Sequence, residues 1–138
     1  MIVVVDTNVL VSGLLTPWGI PGEINRMVLT GQLTPCHDGR ILAEYYSVMR
    51  RAQLKIDPSE ADVLLTQIIE NGIPVAGETL KMRLPDPEDE PFLAVALAGK
   101  AEVLITGNLK HYPGAACKGV KVMVPARFIE LYRRSMNM

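Results

Sequence analysis

Helices alternating with short, fully apolar strands predict an α/β fold, a parallel sheet covered on both faces. Three observations carry that prediction. Ile2 to Val5 is an unbroken apolar, β-branched run, which suits a strand buried on both faces. Comparable short runs recur at Glu102–Thr106 and Val120–Val124. Between them, apolar residues return every three or four positions, as helices packed on such a sheet require.

Taken in order, the first strand stops at Asp6, and Val9 to Leu15 predicts a short helix ended near Pro17-Trp18-Gly19. Pro21 suits the first turn of a second helix with Ile24, Met27 and Val28 as its stripe, and Gly31 is its stop. Leu33–Cys36 reads as a second strand. A third helix, from about Asp38 to Ala52, places Ile41, Leu42, Tyr45, Val48 and Met49 at helical spacing. Asp57-Pro58-Ser59-Glu60 opens a fourth helix in a capping-box-like pattern. Its stripe is Ala61, Leu64, Leu65 and Ile68, and Gly72 ends it. Ile73–Ala76 reads as a third strand, with Pro74 near its start where proline is tolerated. Gly77–Glu90 reads as a loop, Phe92–Ala98 as a helix and Glu102–Thr106 as the fourth strand. A second loop runs through Gly114 and Gly119 to the fifth strand, Val120–Val124. Pro125 starts a last helix carrying Phe128, Ile129, Leu131 and Tyr132, and Ser135–Met138 is expected to fray.

The chain of 138 residues predicts a single domain over 1–138, large enough for a core without staples. A net charge of −1 provides no global basic field, so a polyanion must be held by local Lys and Arg or through bound cations. Cys36 and Cys117 match no metal-ligand spacing, and a reducing cytoplasm with free thiols is expected. No apolar run approaches the roughly 20 residues of a bilayer span, and the start moves directly into a strand rather than a signal peptide. No glycine-rich fingerprint follows the first strand, which excludes dinucleotide binding of the usual kind.

Chemistry is expected just beyond the carboxyl ends of the central strands. Asp6 sits there, either as the anchor of a site or as the cap of the next helix. Glu44 lies three residues after Ile41 and four before Val48, so it shares their apolar face, a costly place for an unpartnered carboxylate. Asp89 opens the stripe that continues through Phe92, Leu93, Ala96 and Leu97, though an acid beginning a helix also has a capping role. Asn108 follows the fourth strand as Asp6 follows the first. If those strands are neighbours, both reach one crevice, into which the flanking helices aim Glu44 and Asp89. Three crowded carboxylates push one another toward protonation unless a hard divalent cation neutralises them. Such an ion suits phosphodiester hydrolysis.

Val4-Val-Asp-Thr-Asn-Val-Leu10, Ile41-Leu-Ala-Glu-Tyr45, Asp86-Pro-Glu-Asp-Glu-Pro-Phe-Leu-Ala-Val-Ala-Leu97 and Val103-Leu-Ile-Thr-Gly-Asn108 resemble, in order and spacing, the PIN-domain ribonucleases. Within them they resemble the toxins of VapBC-type toxin–antitoxin modules. The resemblance implies a three-layer α/β/α sandwich with about five parallel strands, and a Mg²⁺ or Mn²⁺ site that cleaves RNA. It makes Asp6, Glu44 and Asp89 the acidic ligands, and further implies an antitoxin partner and a homodimer. The family often carries a fourth aspartate just after the fourth strand or three residues beyond; here those positions hold Asn108 and His111. Asn108 still offers a neutral carbonyl oxygen to metal, and Thr106 a hydroxyl to water or phosphate.

Lys110, Lys81 and Arg83 are placed to hold RNA phosphates, although exposed lysines are ordinary surface. His37 and His111 show no triad spacing and read as surface or turn residues. Two rival functions remain in view: a PIN-like RNA-binding or interaction module without catalysis, which Asn108 favours, and a receiver-like phosphotransfer domain on Asp6. The second lacks the neighbouring aspartate such domains need.

Overall fold

The computed structural model describes residues 1–136. Five strands, β1 (Ile2–Val5), β2 (Thr34–His37), β3 (Ile73–Pro74), β4 (Val103–Ile105) and β5 (Lys121–Met123), form one sheet. Their order is β3-β2-β1-β4-β5 and every pairing is parallel. β1 is central, with Val3, Val4 and Val5 at most 1% exposed. Successive strand residues point to opposite faces, so that burial means both faces are covered.

Seven helices do the covering: α1 (Thr7–Leu15), α2 (Ile20–Leu29), α3 (Gly39–Met49), α4 (Pro58–Asn71), α5 (Glu90–Ala98), α6 (Gly114–Cys117) and α7 (Pro125–Met136). The predicted stripes are the buried faces. Ile41, Tyr45 and Met49 pack α3, and Ala61, Leu64, Leu65 and Ile68 pack α4. Asp57 caps α4 by accepting the Ser59 N–H at 2.8 Å, and Asp38 caps α3 by accepting from Ile41 at 3.0 Å. Among the described residues, no helix is long and apolar enough to cross a membrane.

Several boundaries differ from the sequence reading. α1 begins two residues earlier, at Thr7. β2 is shifted one residue toward His37. α3 stops at Met49 rather than Ala52, and Ala52–Leu54 forms a separate 3-10 turn closed by Lys55 at φ 55°. β3 is cut to two residues because Pro74 has no N–H for the ladder; a single further bond runs from Val75 N–H to His37 O at 2.9 Å. The two predicted loops hold short structure: 3-10 turns at Pro87–Asp89 and Leu109–His111, and α6. Ser135 and Met136, expected to fray, belong to α7; the remainder of that predicted tail lies outside the described residues.

The arrangement that matters for chemistry is the β1–β4 pair. Val5 registers against Ile105, so Asp6 and Thr106 leave the sheet side by side.

Candidate metal centre at the carboxyl edge of the sheet

Asp6 is held by the chain reversal from β1 into α1. It occupies the N-cap position of α1 in an extended conformation, yet its side chain makes no capping bond. Instead, Thr106 Oγ1 donates to Asp6 Oδ2 at 2.7 Å and the Tyr112 hydroxyl donates to the same oxygen at 3.3 Å. Only 5% of Asp6 is exposed. Burial pushes its carboxyl up from the ordinary aspartate value, against the opposing pull of Thr106, the Thr7 backbone, Tyr112 and His111.

Glu44 is carried on α3, whose apolar neighbours Ile41 and Tyr45 are fully buried. The Tyr45 hydroxyl donates to the Val5 carbonyl, tying α3 to the end of β1 one residue from Glu44. Thr7 Oγ1 donates to Glu44 Oε2. Burial raises the Glu44 carboxyl, Thr7 opposes this, and the charges of Asp6, Glu88 and Asp89 add to the rise.

Asp89 ends a 3-10 turn and stands at the N-cap position of α5, again with no capping bond from its side chain. Asp86 instead caps the 3-10 turn ahead of α5, accepting the Glu88 N–H at 2.9 Å. Asp89 Oδ2 faces His111 Nδ1 at 2.7 Å. Burial and the charge of Asp6 raise the Asp89 carboxyl, while His111 lowers it. Thus Asp6, Glu44 and Asp89, predicted from three separate segments, lie within one another's electrostatic reach. Neither aspartate is spent on capping.

The other predicted residues are placed differently. Thr106 is completely buried, and its hydroxyl is engaged with Asp6. Asn108 is exposed, and its contact with the group runs through its backbone N–H, which donates to Thr106 Oγ1 at 3.1 Å. Lys110 is exposed and, among the described residues, makes no ion pair; Lys81 and Arg83 are also exposed. Two participants, Thr7 and Tyr112, were not anticipated from the sequence, and His111 only as the occupant of a position where the family often has an aspartate. Thr7 and Tyr112 carried no periodic signal toward a site. His111, read as a surface or turn residue, is a half-buried partner of Asp89, because the 3-10 turn at Leu109–His111 folds it back beneath α5's first turn.

The donor set fits a divalent cation. Among the described residues no lysine or arginine pairs with Asp6, Glu44 or Asp89, and each of the other two carboxylates feels the charge of Asp6; the group whose ligand atoms all lie within 4.8 Å of one another is Asp86, Asp89 and His111. Oxygen-rich, negatively charged groups of this kind suit hard ions. A family model for the PIN domain matches residues 2–110. The chain belongs to the PIN-domain family. No curated protein matches it. PIN domains are generally nucleases that use divalent metal ions, and the five-stranded parallel sheet of this PIN domain is the expected fold. The matched span contains every one of the acids just described.

Proposed function

We propose that this PIN domain is a metal-dependent endoribonuclease in which Asp6, Glu44 and Asp89 hold Mg²⁺ or Mn²⁺. The observation that supports it is the group of mutually repelling, unneutralised carboxylates from β1, α3 and α5 at the carboxyl edge of the sheet. When bound there, a divalent ion supplies charge for the scissile phosphate and makes a water more acidic.

The chain's own residues have three tasks in this reading. Thr106 and Tyr112 fix the rotation of the Asp6 carboxylate through Oδ2, and Thr7 does the same for Glu44. Burial by the β1–β4 pair and α5 keeps bulk water from screening the charges. Lys110, exposed just past β4, binds an RNA phosphate, and the Asn108 side chain offers a further oxygen at the rim.

We further place the protein as a toxin of a VapBC-type module: cytoplasmic, homodimeric, and inhibited by an antitoxin that covers the acidic crevice. The motif order across the chain supports this reading. Incubation of purified protein with single-stranded and structured RNA in Mn²⁺ tests the enzyme assignment. Cleavage that stops with chelator supports it. RNA binding without cleavage under any divalent ion supports the non-catalytic module instead, the reading that the surface position of Asn108 favours.

A further inference from the structure

Beside Asp6 and Glu44, the structure holds a second constellation that the acids alone do not describe. One ligand atom each from Asp86, Asp89 and His111 lies within 4.8 Å of the others. They come from two segments: the 3-10 turn ahead of α5, and the turn that follows β4. Asp86 has no lysine or arginine partner among the described residues, and its charge adds to the rise of the Asp89 carboxyl. A hydrogen bond from His111 to Asp89 alone would leave Asp86, one oxygen of which accepts the Glu88 N–H, repelled by Asp89. A cation of the proposed centre, held at the shared ligand Asp89, would relieve that repulsion and bring the other two donors into use.

The imidazole is the donor in this constellation that distinguishes one ion from another. Mg²⁺ strongly prefers oxygen and gives up its waters reluctantly, whereas Mn²⁺ accepts nitrogen donors more readily. We infer that His111, together with Asp86 and Asp89, is a ligand of the metal centre and biases it toward Mn²⁺ over Mg²⁺. The inference rests on the metal centre proposed above and deepens it. His111 is 38% exposed at its side chain, so its replacement leaves the core intact.

Mn²⁺ titration of the full chain, followed by electron paramagnetic resonance with Mg²⁺ as competitor, tests it without reference to activity. Wild type is expected to show the nitrogen modulation of a directly bound imidazole. H111A is expected to lose that modulation and about tenfold or more in Mn²⁺ affinity, with a smaller loss for Mg²⁺. H111D, an all-oxygen set, is expected to narrow the preference between the two ions. Absence of nitrogen modulation in wild type, its persistence in H111A, or equal losses for both ions overturns ligation; equal losses would make His111 a positioning residue for Asp89. The same titration on D6N separates the two claims. Mn²⁺ binding that needs Asp6 but shows no nitrogen leaves the proposed centre standing and overturns this inference. Nitrogen-bearing Mn²⁺ that ignores Asp6 supports His111 ligation and overturns the centre as drawn.

Discussion

Thr106 Oγ1 donates to Asp6 Oδ2 at 2.7 Å, a bond between residues one hundred positions apart that joins the ends of the two central strands. The same hydroxyl oxygen accepts the Asn108 N–H, so one side chain orients a carboxylate and closes the turn after β4. T106V keeps the shape and removes both functions. The variant is expected to lose about 10–100-fold in metal affinity and about 1–2 kcal/mol of stability. T106S is expected to retain most of both. Calorimetric metal titration and urea unfolding check the pair.

Tyr45 holds α3 against β1 through its bond to the Val5 carbonyl, while its ring lies 6.1 Å from that of Phe92. Y45F preserves the ring and strands a buried acceptor. A cost of about 1–3 kcal/mol follows, with weakened metal binding because Glu44 is the next residue along. Unfolding midpoints and metal titration of the one variant report the two effects separately.

The carboxyls of Asp6, Glu44 and Asp89 are raised first of all by burial. A raised value means that the fold holds those protons more tightly than the unfolded chain. The resulting stability is complete below the ordinary carboxylate range and is lost as pH rises through the folded-state values. At neutral pH the metal-free domain is therefore destabilised by its own site. E44Q removes one charge and keeps an oxygen for Thr7 to donate to. Without metal, it is expected to melt about 3–5 °C above wild type at neutral pH, roughly 1 kcal/mol. The gap closes toward acid pH, and Mn²⁺ reverses the order. Melting curves in chelator and in Mn²⁺ check the sign.

Much of this centre was legible in the sequence. A β-branched run ending in an acid located Asp6, and spacing from Ile41 and Val48 located Glu44 on the inner face of α3. Charge and position alone could not say whether Asp6 and Asp89 cap helices or face the crevice, because both acids do occupy N-cap positions. Only the tertiary partners decide that: Thr106 and Tyr112 for one, His111 for the other. Tyr112 was invisible because the segment after β4 has no hydrophobic period, and His111, though it stands where the family often has an aspartate, read as a turn residue because the 3-10 turn that brings it to Asp89 depends on packing. Asn108 shows the converse. Its place past the strand was read correctly, but which of its groups, main chain or side chain, meets the site does not follow from position.

The connection between α1 and α2 packs closely against the first turn of α2. A Cβ at Gly22 would stand 2.0 Å from the Pro17 carbonyl oxygen, a backbone atom that cannot step aside, whereas one at Gly39 meets nothing within 4 Å. G22A is expected to cost about 3 kcal/mol or more through overpacking. G39A, at the first position of α3, is expected to gain about 0.5 kcal/mol from reduced freedom of the unfolded chain. Paired denaturation curves test the packing description independently of any metal.

Asp6, Glu44 and Asp89 are proposed to share one divalent ion. Anomalous diffraction from crystals grown with Mn²⁺ tests that sharing most directly. A peak bounded by these three carboxylates is expected, and it is expected to vanish in D6N. A peak confined to other residues, or Mn²⁺-dependent RNA cleavage that survives in D6N, would contradict the sharing.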